Sequence, residues 1–154
     1  MRPRLWVLDK GNVNCPAKVA IYNLFQKINY TLEAPEDIPK DRLNYLIVDG
    51  DVKTNGARAY VGLDGENYLL VFSLNEFKWW RVNLHSANNN LAISTKFLAF
   101  SRKEAILYVT GGEERPQNGI WALVNFNKPN ECSEETPMVL KRRLVKILKY
   151  NVLT

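Results

Sequence analysis

The feature that most limits how this chain can fold is a repeat of short apolar runs with a period near 50 residues. Trp6-Val7, Tyr60-Val61 and Tyr108-Val109 each set an aromatic before a valine inside such a run, 54 and 48 residues apart. A second run follows each of them: Ala20-Ile21-Tyr22, Leu70-Val71-Phe72 and Trp121-Ala122-Leu123, at spacings of 50 and 51. A third run, richer in alternation, occurs twice, as Lys27–Leu32 and Trp79–Leu84, matched at an offset of 52. A fourth, Tyr45-Leu46-Ile47-Val48 and Phe97-Leu98-Ala99-Phe100, precedes the second and third units, again 52 apart. Between the runs lie turn formers such as Asp49-Gly50-Asp51, Asn55-Gly56, Asp64-Gly65 and Gly111-Gly112.

Four short strands recurring at this interval are the mark of a β-propeller blade. With strands lettered A to D from the central channel outwards, the chain reads B-C-D, A-B-C-D, A-B-C and a tail. The expected fold is therefore all-β, a partial β-propeller of about two and three-quarter four-stranded blades. The blade pieces fall at about 4–32, 43–85 and 95–126, within a propeller region 1–137, and a basic tail spans 138–154. A β-sandwich of ten or so strands would give similar spacing. The runs keep their order as well as their interval, however, which favours the propeller. Blades bury both faces against neighbours, so their A, B and C runs are nearly continuously apolar. Rings usually hold about four to eight blades. The chain is thus expected to be a fragment, an open stack or half of a dimeric ring, with the fragment preferred. Exposed blade faces would then offer a route to self-association.

The chain has 154 residues, enough for one domain with a sizeable core, and 46% hydrophobic with 24% charged residues excludes wholesale disorder. The net charge of +5 suggests a nucleic-acid partner, but its location argues against one. Lys141, Arg142, Arg143, Lys146 and Lys149 lie in a tail without acids, and setting them aside leaves 16 basic and 16 acidic residues. A neutral body makes no broad phosphate-binding face. No apolar run approaches the ~18 residues of a membrane span. No signal peptide precedes the first run, which implies either a cytoplasmic protein or a true start lying upstream. Cys15 and Cys132 sit in no CxxC or Cys/His cluster. Free thiols are preferred there, with a mutual disulfide as the alternative.

Candidate chemistry is sparse. His85 is the only histidine, placed just after an outer strand beside Ser86 and without an obvious carboxylate partner, so a solvent-exposed loop position is expected. No nucleophile-elbow pattern accompanies it. Asp49–Gly56, "DGDVKTNG", has some look of a calcium loop, but the ligand spacing is off and no glutamate closes it; a polar A–B connection is the better reading. Asn29-Tyr30-Thr31 is an N-glycosylation sequon on a presumed edge strand, of consequence only if the chain is secreted. Trp79-Trp80 with Arg81 suits either an aromatic platform for a sugar or base, or packing between blades, and packing is preferred. In the tail, Leu140, Leu144, Ile147 or Leu148, and Val152 recur at helical spacing among the cations. They fit a basic amphipathic helix or a strand packed on the last blade. No residue is assigned a catalytic, metal-binding or cofactor-binding role.

Arg4-Leu5-Trp6-Val7-Leu8-Asp9-Lys10-Gly11, Cys15-Pro16-Ala17-Lys18 and Ile21-Tyr22-Asn23-Leu24 resemble the "RLWVLDSG…CPPKL…YDL" passage of the Yellow / major royal jelly protein family. The likeness continues in order. Val48-Asp49, Ala59-Tyr60-Val61, Leu70-Val71-Phe72-Ser73-Leu74, Trp80-Arg81-Val82 and His85 are similar to "VVD…AYIAD…LVVYDL…SWRVxH". Leu98-Ala99-Phe100-Ser101 and Leu107-Tyr108-Val109 resemble "IALSP…LYF", so the resemblance covers roughly residues 4–124. It implies a secreted protein on a six-bladed propeller. It also implies a disulfide from Cys15 to a cysteine before the "AYIAD" strand, but Asp51–Gly56 here contains none.

Three function classes follow from that resemblance. One is binding of a small molecule, a biogenic amine, in the central channel. Another is a melanin-pathway enzyme of the dopachrome-conversion type. The third is a structural or nutritional secreted protein. The residues offer no paired carboxylates of catalytic spacing and no nucleophile constellation, so the expectation is a non-enzymatic protein with no cofactor and small-molecule binding as its activity.

Overall fold

In a computed structural model, residues 4–26, 29–50, 56–86, 94–103, 106–110, 120–123 and 138–140 are described. Among them the chain is all-β, with a single 3-10 turn at Lys40–Arg42. The first blade is an antiparallel sheet of β1 (Arg4–Asp9), β2 (Lys18–Asn23) and β3 (Asn29–Glu33), in that order. The second runs β4 (Leu43–Asp49), β5 (Arg58–Leu63), β6 (Tyr68–Ser73) and β7 (Lys78–Ser86). The third comprises β8 (Phe97–Ser101), β9 (Ile106–Thr110) and β10 (Trp121–Leu123). These are partial propeller blades stacked face to face, reading B-C-D, A-B-C-D and A-B-C.

Alternation decides which side chain goes to which joint, since successive residues of a strand point to opposite faces. In the second blade Ala59, Val61, Leu63, Tyr68, Leu70, Phe72 and Trp79 turn towards the first blade, where Trp6, Leu8, Val19, Ile21 and Leu32 meet them. Tyr60, Leu69, Val71, Trp80, Val82 and Leu84 turn the other way, onto Leu98, Phe100, Leu107 and Val109 of the third blade. Every residue of β5 and β6 is buried as a result. Each large side chain so covered contributes about 1.5–3 kcal/mol.

The joint between the second and third blades has a polar rivet. Thr95, fully buried just before β8, accepts the Leu63 N–H at Oγ1 (3.1 Å) and donates to the Tyr68 carbonyl (2.8 Å). Its backbone N–H donates to the Glu66 carbonyl. Gly62 makes room for it: a Cβ there would lie 2.3 Å from the Thr95 carbonyl oxygen.

Registers correct the sequence in one place. Tyr22 faces Asn29 in the first blade and Phe72 faces Trp79 in the second. The outer runs are therefore equivalent at an offset of 50, not the 52 at which Lys27–Leu32 and Trp79–Leu84 align. The C-to-D turn sets this spacing in both blades. Asn23 Oδ1 accepts the N–H groups of Phe25 and Gln26, and Ser73 Oγ accepts that of Glu76. A slip of two leaves every face assignment unchanged.

The start of the basic tail also forms a strand, β11 (Met138–Leu140). It pairs parallel to β7, on the outer edge of the second blade rather than of the third. The rest of the tail, where a helix or a further strand was expected, lies outside the described residues.

Candidate functional site

The inner strands approach one another at the narrow side of the stack, where β4 lies against β8. Tyr45 near the start of β4 and Phe97 at the start of β8 occupy the same position in consecutive blades, because Leu46 pairs with Val61 as Leu98 pairs with Val109. Their rings meet edge to face with centroids 5.4 Å apart. Tyr45 remains 43% exposed, so it is reached from solvent. Asn44 joins the two strands by donating to the Lys96 carbonyl. The Lys96 ammonium lies 5.6 Å from the Phe97 ring centroid and 3.0 Å from the Asp64 carboxylate. Asp64, in the turn after β5, is held by its own N–H donating to the Arg42 carbonyl. An aromatic wall with a carboxylate is chemistry that holds a primary ammonium, and Lys96 occupies it with one.

The residues singled out in the sequence are not gathered at this corner. Trp79 and Trp80 are adjacent in β7 and so face opposite ways. Trp79 packs on Phe72, 5.2 Å between centroids, in the joint with the first blade, while Trp80 packs on the core shared with the third. No single platform can contain both rings. Arg81 instead pairs with Asp37 (2.6 Å) and covers the Tyr68 ring. Its neighbourhood is packing, apart from a Trp79 indole N–H that is buried without an acceptor among the described residues.

His85 lies within β7 rather than after it, since the strand continues to Ser86; its side chain is outside the described residues. Asp49 ends β4 and Gly56 precedes β5, while residues 51–55 of the calcium-like loop lie outside the description. Among the described residues no three acids, histidines or cysteines come together as a metal site. Cys15 is exposed and free, in the turn that Lys40 fastens by donating to the Asn12 and Cys15 carbonyls. Cys132 is outside the described residues. Asn29 is exposed at the first position of β3.

Two ionisable groups have shifted titrations, Asp9 in the first blade and Tyr68 in the second. The Gly11 N–H, donating to Asp9, and then Lys18 hold the Asp9 carboxyl below its usual range. Burial pushes the Tyr68 phenol up, and Glu66 adds to that.

Sequence reasoning did not single out Tyr45, Asp64, Lys96 or Thr95. A signal for the first existed: the two inner runs were already aligned at 52 residues, and both open on an aromatic.

No helix among the described residues is long and apolar enough to cross a membrane. A search of curated proteins finds no match. The family model described as "Major royal jelly protein" matches residues 1–111, which carry the first two blades and the β8–β9 pair. With ordered blade repeats over the same span, that match establishes that the chain belongs to the major royal jelly protein family.

Proposed function

We propose that this is a secreted, non-enzymatic propeller protein that binds a small aromatic amine at the corner between the inner strands of the second and third blades. Family membership supports secretion. The observation that carries the binding reading is the Lys96 ammonium set over Phe97 and against Asp64, with the partly exposed Tyr45 beside it. The corner stabilises a primary ammonium through a carboxylate and a ring quadrupole together. An arylalkylamine offers the same head and adds a ring that packs on Tyr45.

Calorimetry with serotonin, dopamine and histamine tests this. Lys96→Met removes the resident ammonium while keeping an apolar stem, and is expected to tighten amine binding. Tyr45→Ala weakens it by about two- to twelvefold, the size of an aromatic ring pair. Absence of heat from all three amines, with both the unaltered chain and Lys96→Met, overturns the binding reading and leaves a structural or nutritional role. Measurable dopachrome turnover moves the protein to the melanin-pathway enzymes.

A further inference from the structure

We infer that the end of the stack bearing the C-to-D turns docks on an anionic lipid bilayer, with Phe25 and Phe77 inserted among the headgroups. This goes beyond the amine corner, which lies at the opposite end of the strands. Phe25 sits in the turn between β2 and β3 and is 72% exposed. Phe77 sits in the matching turn between β6 and β7 and is 55% exposed. Neither exposure depends on which blades flank the molecule. The second blade has a neighbour on either face, yet Asn75, at the position matching Phe25, is exposed there. A turn tip projects along the strands, past the faces on which blades pack.

The main chain holds both rings in place. Asn23 Oδ1 accepts the Phe25 and Gln26 N–H groups at 3.1 Å, and Asn23 Nδ2 donates to Gln26 Oε1 at 2.9 Å. In the other turn the Leu74 N–H donates to the Ala57 carbonyl at 3.0 Å. Phe77 has a φ of 50°, and among the described residues no other non-glycine has a positive φ. Glycine takes that conformation without the Cβ clash that a phenylalanine accepts. The ring gains an edge-on contact with Tyr30 across the blade joint, 5.9 Å between centroids, and Tyr30 is itself 38% exposed. An exposed aromatic lip on strained backbone finds its use in a contact that these blades do not supply.

Charge names the partner. Four ion pairs, Lys18–Asp9, Arg42–Glu66, Arg81–Asp37 and Lys96–Asp64, match cations with acids of the opposite end. At the C-to-D end Lys78 opens β7, and Arg102 and Lys103 follow β8 on the same side. All three are exposed and have no ion-pair partner among the described residues, where Glu76 is the one exposed acid at this end. Phenyl rings at turn tips with such cations beside them suit the boundary of a bilayer. The rings enter the acyl edge while the ammonium and guanidinium groups meet anionic headgroups. A soluble polyanion would use the cations and leave the rings in water.

The test is co-sedimentation of the full chain with phosphatidylcholine vesicles, with and without phosphatidylserine. Binding to the anionic vesicles is expected, and is expected to weaken as salt is raised. Phe25→Ser and Phe77→Gly each lower the partition coefficient by about tenfold, as for withdrawing a partly buried phenyl ring from an apolar layer. Lys78→Gln lowers it by about fivefold. Phe77→Gly also relieves the backbone, so its unfolding midpoint stays close to that of the unaltered chain. Val13→Ser removes an apolar side chain that is 98% exposed at the opposite end, and leaves binding unchanged. Failure to sediment with either vesicle overturns the inference. So does binding that survives both phenylalanine variants, as when the basic tail alone holds the vesicle, or an equal loss in Val13→Ser. Retention on heparin without vesicle binding also overturns it, and gives the cations to a soluble polyanion. None of these readouts involves an amine, so they are decided separately from the function proposed above.

Discussion

Tyr22 and Phe72 stand at the same place in two consecutive blades, yet Phe72 is wholly buried while Tyr22 is 39% exposed. The contrast extends along the strands around them. β1 and β5 are each six residues long, as are β2 and β6, and they pair in the same register. Val7 corresponds to Val61, Asp9 to Leu63 and Lys18 to Tyr68. In the second blade these positions face a neighbour and are apolar or aromatic. In the first, Val7 is 39% exposed, and Asp9 and Lys18 form an ion pair at 3.5 Å. A blade's backbone therefore asks only for alternation and a turn of the right length. What packs on each face decides which residue types serve there.

The sharpest way to break this comparison is to truncate the matched aromatics. Phe72→Ala is expected to cost about 3–5 kcal/mol in urea unfolding, the range for emptying a filled aromatic site. Tyr22→Ala is expected to cost less than about 1 kcal/mol, as for a surface position. Equal shifts for the two would show that exposure in the first blade does not reflect lost packing. Next comes the joint. Gly62→Ala drives a methyl into the Thr95 carbonyl and should cost about 1–3 kcal/mol, although the matched position in the first blade is a leucine, Leu8. Thr95→Val keeps the shape but strands the Leu63 N–H and the Tyr68 carbonyl, again about 1–3 kcal/mol.

The smallest effects are in pH. A carboxyl held low in the folded state adds stability above its unfolded range and loses it as pH falls through the folded value, so Asp9 contributes an acid-side decline. A phenol held high does the reverse: the Tyr68 contribution is intact below about pH 10 and is lost as pH rises further. Asp9→Asn should flatten only the acid limb and Tyr68→Phe only the alkaline one. An acid limb unchanged by Asp9→Asn would remove that row from the comparison.

Blade order was legible in the sequence because the runs recur in the same order at an interval near 50 residues, as in Trp6, Tyr60 and Tyr108, whereas nearly continuous apolar runs do not say which side chain faces which neighbour. The two-residue slip at the outer run was not legible, because alternation is blind to even shifts. The hydrogen bonds of Asn23 and Ser73 in the turn settle it. Thr95 left no periodic trace, being a single hydroxyl whose partners are two main-chain groups of another blade. The extension of β7 through His85 was missed because the apolar pattern fades at Leu84, before the pairing does. The Tyr45–Phe97 corner was visible as an alignment but not as a contact, since proximity of the inner strands depends on how the blades stack.

The parallel pairing of β11 with β7 has a consequence for synthesis. Ser86 leaves the ribosome well before Met138, and at ordinary elongation rates of about 5–20 residues per second the interval is about 3–10 seconds. Throughout that interval the nascent second blade presents a naked strand margin to any passing polypeptide. β11 takes only Leu84–Ser86 of that margin, and Lys78 and Arg81 are the charges that discourage an opportunistic partner along the rest of it.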